Sequence, residues 1–262
     1  MADIRKQSTK RQHTVPQCYL RGFADPQGWF YYFDKLSGHS NRVNVKSATA
    51  FENFYDFDPS TLQDPADDPH WVEAMFSLLE GHFKQVLTQF VYEAKSGRVE
   101  VRTADSMAHH VAIQWMRTKG YRVRLMEIEA GSIQAWLNHC YERDHPGMPP
   151  GKFAPGPGYA QVLQADAIFK DENIFRVAEL FRGLYWIICR NPTNIPFYTS
   201  DEPVAMKEHP VVNETRVPLP PGIGMEYAFP LNKEFLLVML DKRMYGQLAH
   251  DSGTVAGTCW LP

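Results

Sequence analysis

Apolar side chains recur at helical spacing from Val72 through Phe76, Leu79, Phe83, Val86, Leu87 and Phe90, and this run commits the centre of the chain to helix. Asp67, Asp68 and Pro69 mark its start, where acidic residues suit the helix dipole, and Lys95-Ser-Gly97 marks its end. A second helical region opens at Thr103 or Asp105 and runs through Met116, Leu125, Ile128 and Trp136 to about Arg143, with Gly120 and Gly131 as points of breaking or bending. A third spans roughly Tyr159 to Phe181. Between the last two lies His145–Gly158, whose five prolines and four glycines forbid regular structure and predict a surface loop at about 145–158.

Both ends of the chain read as β. Trp29-Phe-Tyr-Tyr-Phe33, the turn residues Asp34–Gly38 and the alternating Arg42–Lys46 make a hairpin. Phe51–Phe57 is too aromatic for an exposed linker. Leu184–Cys189 is an apolar run of strand length, Pro196–Thr199 leads from a strand into a Ser-Asp turn, and Tyr227–Pro230 and Glu234–Leu240 give two more strands. The fold predicted is α+β: an antiparallel sheet built from N- and C-terminal strands packed against a central set of long helices. A chain of 262 residues suits one domain, 1–262.

With 27 basic and 30 acidic residues, the net charge of -3 gives no whole-protein attraction to nucleic acid or anionic membrane. Arg5, Lys6, Lys10 and Arg11 form a basic tail that reads as solvated. Cysteines at 18, 140, 189 and 259 are too scattered for a metal or redox motif, and read as reduced, mostly buried thiols of a cytoplasmic protein. No run approaches the roughly 18 apolar residues of a membrane span, so no membrane partner is expected.

The candidate chemistry lies in four places. In Arg11-Gln-His-Thr-Val-Pro-Gln-Cys-Tyr-Leu-Arg-Gly-Phe-Ala24 the imidazole of His13 stands among Pro16, Gln17, Tyr19 and Phe23, a rigid setting for a group able to shuttle protons near neutral pH. On the second helix His110, Gln114, Arg117 and Tyr121 share a face, so Arg117 is either half of a structural ion pair or an anion clamp. Glu80, with Glu73 two turns earlier, edges the apolar stripe of the first helix and is either the partner of a cation or a raised-pKa acid or base. Ser200 and Asp201 stand at a strand end with Pro203 fixing the exit, where such side chains bond their own turn or serve catalysis. His109, His139 and His145 lack metal-ligand spacing, and no nucleophile elbow, P-loop or Rossmann glycine pattern occurs.

His13-x-x-Pro16-x-x-Tyr19-Leu20-x-x-Phe23, Gln114-x-x-Arg117, Phe197-x-Thr-Ser200-Asp201-x-Pro203-Val204 and the Phe-Pro-Leu run at 229–231 together resemble the DUF4238 family, over residues from about 10 to 245. Thr14 and Cys18 are smaller than the residues expected at their places in that pattern. The resemblance implies a shared site and brings no activity with it.

Two functions fit these residues. In the first the chain is a hydrolase or nuclease-like phosphodiesterase: His13 is acid or base, Asp201 and Glu80 activate water or hold a divalent metal, and Gln17, Gln114, Arg117 and Ser200 hold a nucleic acid or another phosphate-bearing ligand. No ExK-type pair follows Asp201 to support a nuclease. In the second the chain is a non-catalytic binding or regulatory module, and the same side chains form a structural network that fixes the N-terminal segment on the helices. An open pocket favours the first and a sealed, mutually satisfied cluster the second.

Overall fold

The computed structural model describes residues 10–59, 68–170, 172–208, 224–245 and 258–261. Arg5, Lys6, Asp67 and the Cys259 side chain lie outside what is described.

The architecture is α+β, with antiparallel strands at both ends of the chain and long helices between. The N-terminal region holds β1 (Arg11–His13), the short helix α1 (Gln17–Leu20), the hairpin β2 (Trp29–Asp34) and β3 (His39–Asn44), and β4 (Ala50–Glu52). The helices follow: α2 (Trp71–Lys95), α3 (Val101–Met116), α4 (Lys119–Asp144), α5 (Tyr159–Phe169) and α6 (Asn173–Arg182). The chain closes with β5 (Tyr185–Arg190), β6 (Ala205–Glu208), β7 (Met225–Pro230), β8 (Phe235–Leu240), α7 (Lys242–Tyr245) and β9 (Thr258–Leu261).

The strands of the two ends do not join one sheet. β1 pairs with β4, β2 pairs with β3, and the C-terminal strands form a five-stranded antiparallel sheet in the order β6-β7-β8-β5-β9. Alternate residues of these strands cover one face of that sheet. Trp186 and Ile188 of β5, Tyr227 and Phe229 of β7, and Phe235, Leu237 and Met239 of β8 are all buried. They share a core with Phe83 and Phe90 of α2, Met107 and Val111 of α3, Ala178 and Phe181 of α6, and Val15, Tyr19 and Leu20 of the N-terminal segment. Each large apolar side chain so buried contributes roughly 1.5–3 kcal/mol before conformational entropy is counted against it. A second core gathers Tyr55 and Phe57 with Val72, Phe76, Ile113, Met116, Ala165 and Ile168, which explains the aromatic run at 51–57.

Four local readings change. The second helical region breaks at Arg117–Thr118, ahead of Gly120: Thr118 starts α4 as its N-cap, accepting the Tyr121 amide at 3.2 Å. Gly131 stays inside α4, a helix with no buried residue. The third helix is two, α5 and α6, divided where Glu172 adopts a left-handed backbone (φ 58°). Residues 196–199 carry no strand pairing. The 145–158 segment contains no helix or strand. Gln134 of α4 holds it, donating to the Gly151 carbonyl at 3.0 Å and accepting the Phe153 amide at 2.8 Å. Cys18, Cys140 and Cys189 are free and half-buried rather than buried.

Candidate functional site

The N-terminal segment is rigid for reasons visible in its backbone. β1 pairs His13 with Ala50, and the ladder continues as the Thr14 amide donates to the Thr49 carbonyl at 3.1 Å. Pro16 then opens α1, whose Tyr19 and Leu20 are buried. Gln12, also buried, accepts the Tyr55 amide at 2.6 Å through Oε1 and donates through Nε2 to Asp56.

This rigidity presents main-chain oxygens to the helices. Gln114 Nε2 of α3 donates to the Thr14 carbonyl at 3.1 Å, and Arg117 Nη2 donates to the His13 carbonyl at 2.6 Å. The same Nη2 donates to Glu80 Oε1 of α2 at 2.9 Å. The Arg117 side chain is 2% exposed and lies over the Phe76 ring, with its Cζ 4.3 Å from the centroid, while the Glu80 side chain is 30% exposed. The Arg117 carbonyl accepts the Tyr55 hydroxyl at 2.7 Å. One guanidinium therefore ties together β1, α2 and the end of α3. A buried charge of this kind is tolerated because a carboxylate and a carbonyl answer it.

The cluster is tightly filled. The void among Pro16, Glu80, Phe83, His110, Gln114 and Arg117 is about 10 Å³, the space of one water molecule. Gln114 Oε1 and Arg117 Nε have no hydrogen-bond partner among the described residues, which suits a single bridging water.

The His13 imidazole is half-buried and places Nε2 3.3 Å from the Lys46 carbonyl. Burial lowers its pKa, with Arg117 and Arg11 adding to the effect and the Lys46 contact and Glu80 opposing it. Gln17 is half-buried at the start of α1. Ser200 closes its own turn, donating from Oγ to the Glu202 carbonyl at 2.7 Å and accepting the Glu202 amide at 3.1 Å. Asp201 is exposed and makes no hydrogen bond or ion pair among the described residues. Glu202, its neighbour, pairs with Arg124 of α4 at 2.8 Å. So Glu80, Gln114 and Arg117 meet, with His13 joining through its carbonyl, while among the described residues no bond brings Gln17, Ser200 or Asp201 to them.

Several residues matter more than the sequence indicates. Tyr19 carries the third motif to the first: its hydroxyl sits 2.8 Å from Thr199 Oγ1 and donates to the Pro230 carbonyl at 2.7 Å. Burial pushes the Glu73 carboxyl up to about 7, with Glu80 and Asp56 adding to the rise and Arg117 opposing it. Its position seven residues before Glu80, on the same helical face, is the sequence signal for it. His110 is buried against Phe83, ring centroids 5.0 Å apart, and its Nε2 lies 2.8 Å from Nδ1 of His82. Burial first, then His82 and His109, push His110 down to about 3, so this imidazole is neutral near pH 7. Cys18 is pushed up to about 11 by burial and by Glu80, which leaves it a poor nucleophile. Among the described residues no three His, Cys, Asp or Glu side chains gather closely enough to hold a metal ion, and no helix is long and apolar enough to cross a membrane.

A family model described as "Protein of unknown function (DUF4238)" matches residues 11–255. Neither the curated proteins nor the solved structures contain a match.

Proposed function

The chain belongs to the DUF4238 family of proteins of unknown function, and from that premise we propose that it is a non-catalytic binding module in which the Arg117 cluster is a structural clasp. The observation that carries this reading is how Arg117 is used. Its buried Nη2 is shared between the His13 carbonyl and Glu80, and the space beside it is about 10 Å³. A guanidinium kept as an anion clamp for a phosphate would hold its fork toward an open cleft. The free thiols of Cys18, Cys140 and Cys189 support a cytoplasmic location as part of the same reading.

The phosphodiesterase reading draws its support from Glu73, which titrates near neutrality beside the partly exposed Glu80. It asks Asp201 to act with this cluster, and Asp201 has no bond to it among the described residues.

A double-mutant cycle separates the two. Arg117→Met strands the Glu80 carboxylate, and Glu80→Met leaves a buried guanidinium with only a carbonyl. The expected loss is about 3–5 kcal/mol for Glu80→Met, which leaves the buried guanidinium without its carboxylate, and less for Arg117→Met, which strands a carboxylate that is partly solvated. Arg117→Met/Glu80→Met recovers part of the loss in urea denaturation, the mark of a structural pair. The reading is overturned if the parent turns over nucleic acids or phosphodiesters and His13→Ala or Glu80→Gln abolishes that turnover while melting at the parent temperature.

A further inference from the structure

The hairpin β2–β3 carries an unusual face. Trp29, Tyr31 and Phe33 alternate along β2 and so stand on one side of it, with exposures of 40%, 77% and 62%. Opposite them, in register on β3, stand Asn44, Arg42 and Ser40. The other face of the hairpin packs Phe30 and Val43 against the main core near its base and leaves Tyr32, toward its tip, 43% exposed. The ring row is therefore the outward side of a ribbon whose inward side is anchored. Three neighbouring large rings left in water are more than the scattered apolar exposure of an ordinary surface.

From this geometry we infer that the outer face of β2–β3 is a stacking platform for single-stranded nucleic acid, an inference that rests on the binding-module reading and names what is bound. Successive rings on one strand face are about 7 Å apart, so each can take its own unstacked base. Every base has a π-face, so such a row holds a single strand with little regard to sequence. The neighbouring strand supplies the other half of the chemistry. Arg42 lies with its Cζ 5.0 Å from the Trp29 ring centroid and is oriented by Asp25 at 2.9 Å, which leaves guanidinium N–H groups for phosphate. The surroundings are basic in a chain whose net charge is -3: Arg21, Lys35, Arg42 and Lys46 stand against Asp25 and Asp34 within residues 21–46. Arg21 lies near the base of the hairpin, its Nη1 3.6 Å from where a Cβ on Gly28 would lie. The polar row Ser40, Arg42, Asn44 on this face argues against a lipid-inserting ribbon, which would be apolar across both strands.

The test is fluorescence anisotropy of labelled oligo(U) and oligo(dT) of about ten nucleotides, with the probe recovered and sized after each titration. Both probes are used because the rings read a feature that RNA and DNA share. Binding is expected at low salt, weakening as salt rises. Tyr31→Ala and Phe33→Ala are each expected to weaken it by about tenfold, within the range of one lost base–aromatic stack. Arg42→Ala should weaken it and flatten the salt dependence. Tyr31 and Phe33 are exposed, so the melting temperatures of their variants should match the parent and exclude unfolding as the cause. Absence of binding, affinity unchanged by Tyr31→Ala and Phe33→Ala, equal affinity for duplex, or ring-dependent association with anionic vesicles in place of oligonucleotide would each overturn the inference. An intact but unbound probe defeats this inference alone. A probe bound through the rings and cleaved upholds the platform and defeats the non-catalytic reading.

Discussion

The Tyr19 hydroxyl joins two distant parts of the chain: it lies 2.8 Å from Thr199 Oγ1 and donates to the Pro230 carbonyl at 2.7 Å. The Tyr19 ring stacks on Phe229, centroids 5.1 Å apart, and packs beside Phe23 and Phe83. This one side chain explains why the His13–Phe23 motif, the Phe197–Val204 motif and the Phe-Pro-Leu run occur together. The first supplies a phenol, the second a hydroxyl and the third a carbonyl, and all three are spent on one buried junction. The co-occurrence of these motifs therefore follows from packing, and no reacting group is required to explain it.

Removal of that hydroxyl should be costly in proportion. Tyr19→Phe keeps the ring stack and leaves Thr199 and the Pro230 carbonyl without their partner, for an expected loss of about 1–3 kcal/mol. Thr199→Val removes only one side of one bond and should cost less. The midpoints of urea unfolding for the two variants and their double mutant give the comparison, and strictly additive losses would show that the two groups are not coupled.

Much of this could be read before folding and some could not. The existence of α2, the hairpin β2–β3 and the strands β5, β7 and β8 follows from periodicity, apolar runs and turn residues, though β3 runs over His39–Asn44, three residues ahead of the Arg42 at which the alternation begins. β1 and β4 have three residues each, too few for any pattern to register. The break at Arg117–Thr118 carries no glycine or proline of its own; it rests on a threonine cap that resembles any other threonine in a helical run. The site divides in the same manner. Glu80, Gln114 and Arg117 announce themselves as polar groups on apolar helix faces. The other acceptors of Gln114 and Arg117, the Thr14 and His13 carbonyls, belong to the backbone, which every residue possesses and no side-chain pattern can single out.

His110, buried beside Phe83, makes stability depend on acid. The folded state holds His110 at about 3, below its ordinary 6.5, so between these values the unfolded chain binds the extra proton. Stability is full above about 6.5 and falls as pH drops toward 3, with a slope of at most about 1.4 kcal/mol per pH unit for one proton. His110→Gln should flatten the dependence of unfolding free energy on pH in that window. Parallel curves for parent and variant would show that His110 is not its source.

Glu73 acts in the opposite sense. Its carboxyl is raised in the folded state from 4.5 to about 7, so the folded chain binds more protons across that interval. Stability from this group is greatest below about 4.5 and declines as pH rises through about 7. Glu73→Gln should therefore stabilise the protein at pH 8, by on the order of 1 kcal/mol once solvent screening of a half-buried group is allowed for. The gain should vanish below the ordinary carboxyl range. Melting temperatures of parent and variant at acid and alkaline pH would reveal the crossover, and a gain that is equal at both would refute the assignment.

Gly120 offers a test of how the Ser200–Glu202 turn is seated on α4. A Cβ at this position would lie within 1.5 Å of Glu202 Oε1, so alanine must expel the Glu202 carboxylate and with it the Arg124 pair. The atom displaced is the end of a flexible, partly exposed side chain, and the pair it makes is worth about 0–1 kcal/mol. Alanine in place of glycine within a helix returns about 0.5–1 kcal/mol. Gly120→Ala should thus leave global stability within about 1 kcal/mol of the parent, because the two terms oppose each other. In a Glu202→Ala background the clash is gone, and Gly120→Ala should stabilise by the helix term alone. A loss of similar size in both backgrounds would mean that backbone, and not the Glu202 carboxylate, closes against α4 at this point.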